Sequence, residues 1–338
     1  MSLRIGIVVN PLARRTGSPA LPGRLEELCR LAGAEATVAV TRTPEELTGA
    51  LRALGPELDV LAICGGDGTL MATVSAAIPL YEGRLPALLL LPGGTMNTVA
   101  RNLGVRGRPE AILGRLLAGA ATPKGLGTVP RFVQELMRVQ THDELPMVKG
   151  RLLPAAPGGG DSGGRTRYGC IFGAAMGARY LSAYARRPGL LWAAWLGLRT
   201  VGSALIPGGG PFARWLFECT PAQLVIDGQP ADDQAFRLIL CATVPDVGLG
   251  MRVPWQAGCV PDRFQIIASS LPITQNALQV VRMQRGQPML GQPHIDRLAQ
   301  RVELRFESSQ PLTLDGDLFA ATAIELGLGP QLQILLPP

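Results

Sequence analysis

Histidine is nearly missing from this chain. Only His142 and His294 occur in 338 residues, both in polar surroundings, so neither a Ser-His-Asp set nor a zinc site can be assembled. The six cysteines (Cys29, Cys64, Cys170, Cys219, Cys241 and Cys259) show no C-x-x-C spacing. Several lie inside apolar runs, as expected for free buried thiols in the reducing cytoplasm. No dense Lys/Arg tract with interleaved aromatics is present, so nucleic acid is not an expected partner despite a net charge of +6. No long apolar run is present either: Leu190 to Ile206 spans 17 residues, is interrupted by Arg199, and is too short for a membrane span. Residues 3–9 read as a first strand, not a signal peptide. Neither G-x-x-x-x-G-K-[ST] nor G-x-G-x-x-G occurs, which excludes the P-loop and the usual dinucleotide fingerprint.

The chain is long enough for two domains, and 47% hydrophobic with 17% charged residues describes folded protein. The first 120 residues alternate strand and helix. Ile5-Gly6-Ile7-Val8-Val9, Val60-Leu61-Ala62-Ile63-Cys64 and Ala87 to Leu91 are continuous apolar runs, the pattern of parallel strands buried on both faces. Leu25, Leu28 and Leu31 recur at helical spacing, and Thr37 to Thr41 is strand-like. Thr43-Pro44-Glu45-Glu46 is a capping box that starts a helix running to about Leu54. Further helices are expected over 69–78, near 96–103 and over 109–118, giving an α/β parallel sheet. After Pro123 short strand candidates follow one another (126–129, 132–139, 168–172, 222–226, 236–242, 263–268, 301–307, 312–314 and 319–326). They predict a largely antiparallel β domain. A helical stretch over 177–206, a mobile loop over 154–166 and a break at 207–211 interrupt them. The expected domains are 1–124, rejoined by about 331–338, and 125–330.

Four places combine polar groups with glycine or a strand end. Gly65-Gly66-Asp67-Gly68-Thr69 joins a buried strand to a helix start, where glycines let backbone approach an anion and the first N–H groups face it. Pro92-Gly93-Gly94-Thr95-Met96-Asn97 repeats the device after the next apolar strand. Asn10-Pro11 follows the first strand, with Arg14 and Arg15 able to hold phosphate oxygens. Asp315-Gly316-Asp317 offers two carboxylates suited to metal binding or general-base work, or to a plain hairpin turn.

In their order and spacing these segments resemble the diacylglycerol kinase catalytic domain, a family that includes bacterial lipid kinases, sphingosine kinases and ceramide kinases. Gly248 to Pro254 and Pro261-Asp262-Arg263-Phe264-Gln265-Ile266-Ile267 extend the resemblance along the chain. It implies an N-terminal α/β domain like that of NAD kinases and phosphofructokinases, followed by an antiparallel β-sandwich. It also implies ATP and Mg²⁺ as cofactors and phosphorylation of a lipid hydroxyl on diacylglycerol or a sphingolipid. By the same resemblance Asn10, Gly66, Asp67, Gly68, Thr69, Thr95 and Asn97 belong to the nucleotide side, to which the residue pattern itself adds Arg14, Gly65 and Gly94. The resemblance makes Asp317 or Asp67 the base, while the paired carboxylates of 315–317 themselves suggest Asp315 as a metal ligand. Asp317 stands where the family carries a glutamate. Asn97 is followed by Thr98 instead of aspartate, no glutamate follows GGDGT within the helix, and Arg179 replaces an acid in the segment 173–179. These departures leave open a catalytically weakened nucleotide- or lipid-binding protein. The expected partner is a lipid substrate at a membrane surface, reached through Leu190, Leu191, Trp192, Trp195 and Leu196 beside Arg186 and Arg187 if that stretch is not simply core. Peripheral membrane association is therefore expected, and a homodimer stays open.

Overall fold

A computed structural model describes residues 2–122, 125–148, 151–152, 164–187, 189–248 and 250–337. The expected loop at 154–166 lies almost wholly outside them. The chain divides into two compact units, residues 1–134 with 330–338, and residues 135–329.

In the first unit, strands β1 (Arg4–Val9), β2 (Glu35–Val40), β3 (Val60–Gly65) and β4 (Ala87–Pro92) form a parallel sheet in the order β2-β1-β3-β4. Helices α1 (Leu21–Leu31), α2 (Pro44–Leu54), α3 (Asp67–Leu80), α4 (Thr98–Asn102) and α5 (Pro109–Ala120) connect and cover the strands. The apolar runs behave as their composition requires: every residue of β3 is buried, and so are all but the first of β1 and β4. Leu21, Leu25 and Cys29 of α1 and Ile112, Leu113 and Leu116 of α5 pack with Ile7, Val9, Ala62 and Leu89 into one core. The capping signal at Thr43 is realised: its hydroxyl accepts from the Glu46 N–H at 3.2 Å, while the Glu46 carboxylate takes the Arg42 N–H. The expected strand at 126–129 is instead a single 3₁₀ turn over Gly125–Thr128, because two glycines there offer no apolar side chain to a sheet.

Two helical glycines in this unit carry no packing duty. A Cβ at Gly49 in α2 or Gly114 in α5 would meet nothing within 4 Å. Gly49→Ala and Gly114→Ala should each raise unfolding stability by about 0.5–1 kcal/mol, read from the thermal midpoint, because glycine in a helix interior wastes backbone entropy.

The second unit, with the strands that lead into and out of it, contains β5 (Arg131–Thr141), β6 (Leu145–Val148), β7 (Arg151–Leu152), β8 (Arg165–Gly169) and β9 (Ile171–Ala175). Three helices follow, α6 (Met176–Ala185), α7 (Leu190–Ala204) and α8 (Pro211–Leu216), and then β10 (Thr220–Pro221), β11 (Gln223–Ile226), β12 (Gln229–Pro230), β13 (Ala235–Phe236), β14 (Leu238–Ala242) and β15 (Phe264–Ser269). The chain closes with α9 (Ile273–Leu278), α10 (Val280–Gln284), β16 (His294–Ala299), β17 (Arg301–Leu314) and β18 (Asp317–Leu335). Strand pairing in this unit is antiparallel along the path β16-β15-β14-β9-β17-β18 and between β17 and β11, β5 and β8, and β6 and β18. Phe172, Phe236, Phe264 and Phe319 fill its core with aliphatic side chains from the same strands. Asp227-Gly228 makes a two-residue hairpin with φ of +51° and +79°, the left-handed pair that an Asp-Gly turn favours. Two expected strands, 301–307 and 312–314, are one: β17 runs through Pro311 because a register shift between Arg305 and Gln310 relaxes the ladder there. The last residues of β18 belong to the first unit, where Ile334 and Leu335 pair in parallel with Leu88 and Leu89 of β4.

Candidate active site

Because β1, β3 and β4 are neighbours and parallel, the loops that leave their carboxyl ends emerge on the same edge of the sheet. The two glycine turns meet there. A Cβ on Gly94 would lie 2.6 Å from the Gly66 Cα and 2.9 Å from the Asn97 Oδ1, and one on Gly66 would lie 3.2 Å from the Gly94 Cα. Backbone thus packs directly on backbone, which only glycine permits. The Gly93 N–H donates to the Gly65 carbonyl at 2.7 Å, and the Arg15 N–H donates to the Gly93 carbonyl at 2.8 Å. Three loops are thereby stitched into one floor.

The polar side chains of these motifs tie the loops to one another. Asn10 Nδ2 donates to Thr69 Oγ1 at 2.9 Å, and Asn10 Oδ1 accepts the Leu12 N–H at 2.9 Å. Asp67 reaches from the first glycine turn to the second: its carboxylate accepts the N–H groups of Thr98 at 2.8 Å and Val99 at 3.1 Å, capping α4. Burial holds the Asp67 carboxyl above the usual carboxylate range, and the two backbone N–H groups partly oppose that shift. Asn97 is buried in the left-handed conformation, with its side chain bonded to both the N–H and the carbonyl of Gly94 at 2.9 Å.

What remains for a ligand is mostly main chain. Helix α3 begins at Asp67 with extended Gly66 before it, and no side chain caps its end. The N–H groups of its first turn have no carbonyl partner inside the helix, and the positive end of the helix dipole lies with them. Arg14 and Thr95 are exposed. A cradle that any Cβ would fill, next to a helix start without a side-chain cap, fits the phosphates of a nucleotide.

Sequence reasoning passed over Thr16. It is buried, its hydroxyl donates to the carbonyls of Asn10 and of Ala13, and its methyl occupies the space a Cβ on Gly93 would need. The signal was there, a threonine six residues past the strand-end Asn10, but a loop threonine is too common to single out.

In the second unit, Asp315 and Gly316 form the tip of the β17–β18 hairpin, with φ of +49° and +96°. Asp315, the expected metal ligand, has both oxygens bonded to backbone N–H groups, those of Cys170 at 2.8 Å and Ile171 at 3.0 Å. That fastening of the hairpin to the β8–β9 junction accounts for the acid at this position. Among the described residues no three His, Cys, Asp or Glu side chains gather into a set able to hold a metal ion.

Asp317 opens β18. It has an exposed face, yet the protein crowded around the rest of it raises its carboxyl above the ordinary aspartate value, and the Arg167 charge pulls the other way. Arg167 on β8 is held by an ion pair to the Glu144 carboxylate, whose side chain is 3% exposed, and its guanidinium lies 5.3 Å from the Phe319 ring centroid. Neither Glu144 nor Arg167 belongs to a sequence motif, so only the structure reveals them. Arg179, found where an acid was expected, is a structural clamp: its guanidinium donates to the Glu218 carbonyl at 2.6 Å and Thr220 Oγ1 at 3.0 Å.

Comparison with known proteins follows the same lines. Residues 4–129 match the diacylglycerol kinase catalytic domain. A solved structure of a diacylglycerol kinase from Bacillus anthracis aligns with 99% of this chain and 97% of its own length, at a TM-score of 0.62 and 16% identity. A candidate diacylglycerol kinase from the same organism aligns with 99% and 96%, at a TM-score of 0.65 and 15% identity. Both share the fold of this chain. No curated protein matches its sequence.

Proposed function

Because residues 4–129 match the diacylglycerol kinase catalytic domain, we propose that the protein is an ATP-dependent lipid kinase whose acceptor is the hydroxyl of diacylglycerol or of a sphingolipid. The antiparallel second unit is then the sandwich half of such an enzyme and binds the acceptor. The observation that carries the reading is the contact of Gly66 with Gly94 at the start of α3, a cradle shaped for phosphate oxygens.

Phosphoryl transfer asks for positioning and charge neutralisation more than for covalent chemistry. The first-turn amides of α3 hold the phosphates, Arg14 adds charge, and Thr95 lies at the exposed edge of the second turn. Asp317 accepts the proton of the attacking hydroxyl, and its raised pKa keeps it basic enough for that task. Magnesium fits here as a companion of the triphosphate, whose negative charge it neutralises when bound, since the described residues offer no carboxylate cluster of their own. Among the described residues no helix is long and apolar enough to cross a membrane. A lipid acceptor resides in a bilayer, and on that ground the proposed enzyme works at the membrane surface by peripheral association.

The test is transfer of labelled phosphate from Mg-ATP to vesicles containing diacylglycerol, ceramide or sphingosine. A product on any one of them names the acceptor. ATP binding with no product on any would favour a binding protein, a reading to which the engaged oxygens of Asp67 and Asp315 lend support.

Asp67 separates structural from chemical work. Asp67→Ala removes both acceptors that cap α4, at a cost of about 1–3 kcal/mol in stability. It should also lower ATP affinity together with turnover, because the second turn loses its tie to the first. Calorimetric titration with ATP checks this: unchanged affinity with abolished turnover would make Asp67 the base instead.

A further inference from the structure

Between Asp161 and Glu218 the sequence contains seven arginines and not one aspartate, glutamate or lysine. Helices α6, α7 and α8 fill most of this interval and are firmly joined. Tyr180 Oη donates to the Ala193 carbonyl at 3.1 Å, Trp192 Nε1 to the Ala183 carbonyl at 3.2 Å, and the Ala213 N–H to Ser203 Oγ at 3.0 Å. They line an open cavity of about 610 Å³ together with Arg186 and Arg187, its walls including Trp192, Arg199, Phe212 and Trp215. The Arg199 guanidinium lies 4.2 Å from the Phe212 ring centroid and 5.1 Å from that of Trp195, and Arg187 lies 5.8 Å from Trp192. Aromatic faces support these cations but provide no acceptor oxygens. Among the described residues none of the three arginines forms an ion pair with a carboxylate.

Helix α7 also presents its apolar side the wrong way for a protein in water. Ala193, Leu196 and Ala204 face inward, while Leu191, Trp195 and Leu198, spaced four and three residues apart, are 88%, 44% and 74% exposed. Leu205 and Ile206 extend the stripe at 59% and 50% exposed. An outward Leu/Trp stripe flanked by arginines that have no carboxylate partner among the described residues is the pattern of a helix lying in the headgroup layer of an anionic bilayer.

We propose that the α6–α8 cavity binds the phosphate of an anionic phospholipid while the α7 stripe enters the acyl boundary, docking the protein on acidic membranes. The guanidinium forks are matched to phosphate oxygens, bidentate where two N–H groups point the same way. A free phosphate would satisfy the arginines but leave the exposed stripe without a purpose. This surface deepens the lipid-kinase reading and rests on it for its biological sense.

The experiment is co-sedimentation, without ATP, with phosphatidylcholine vesicles and with vesicles mixing in phosphatidylglycerol. Wild type should bind the mixed vesicles strongly and the neutral ones weakly. Each arginine near an anionic surface is worth about fivefold in binding, so the triple variant Arg186→Gln/Arg187→Gln/Arg199→Gln should bind the mixed vesicles about a hundredfold more weakly. Leu191→Ser/Leu198→Ser, whose changed side chains are exposed, should weaken binding to both. Equal binding of wild type to the two vesicle types would overturn the proposal. So would a triple variant that keeps its preference, or a self-association in gel filtration that the leucine changes abolish while vesicle binding is absent. Because binding is scored without turnover, a protein that transfers no phosphate still tests the surface. A kinase active on detergent-dispersed acceptor that ignores acidic vesicles would sink the surface alone.

Discussion

Gly94→Ala should abolish ATP binding at concentrations that saturate the wild type. The added methyl carbon would sit 2.6 Å from the Gly66 Cα and 2.9 Å from the Asn97 Oδ1. The first neighbour is main chain, so no rotamer change relieves the clash. The turns must part, at a cost of about 3 kcal/mol or more, which corresponds to a loss of at least about a hundredfold in affinity if the cradle bears it all. Gly17→Ala, in the loop after β1, is the control. Its nearest contact would be the Pro11 carbonyl at 3.4 Å, an ordinary approach, so ATP affinity should stay within about twofold. Titration calorimetry on both variants decides the matter. A Gly94→Ala protein that still binds ATP tightly would show that the meeting of the turns is not the phosphate site.

Asp317→Asn should lower turnover by about 10²–10⁴, the usual worth of a positioned base, with ATP affinity unchanged. The pH profile follows from the direction of its shift. A base acts only when ionised, and the crowding that raises the Asp317 pKa moves the midpoint of its ionisation upward. Activity should therefore fall with decreasing pH at a midpoint above the ordinary aspartate value, and Asp317→Asn should erase that limb from what activity is left. Asp317→Glu keeps the carboxylate with one more methylene and should retain substantial turnover. If Asp317→Asn runs at the wild-type rate, the base lies elsewhere.

The sheet of the first unit is legible because its strands are buried on both sides. Runs such as Val60 to Cys64 have no polar residue to confuse their period, and the glycines that follow mark where they end. What the residues face is not legible. Spacing places Asp67, Asn10 and Asn97 beside a phosphate cradle, and only the three-dimensional arrangement reveals that Asp67 caps α4 and that the two asparagines bond to Thr69 and to Gly94. In the second unit the antiparallel character follows from short strands and turn residues. The strand β16, His294–Ala299, escapes because its alternation of polar and apolar residues is too brief to separate from a loop. Helices α6 and α7 read as one stretch from sequence, although Pro188-Gly189 already marks their division. Thr16 and the Glu144–Arg167 pair had no motif to announce them.

The pairing of Ile334 and Leu335 with β4 has a consequence for how the chain is made. The first 134 residues leave the ribosome with β4 as an unpaired border, its amides and carbonyls unclaimed beside Leu88 and Leu89. That border is an invitation to the wrong neighbour until the final strand arrives. Any shortened version ending near residue 134 inherits the problem permanently, and its insolubility would reflect a missing partner strand, not a defective domain.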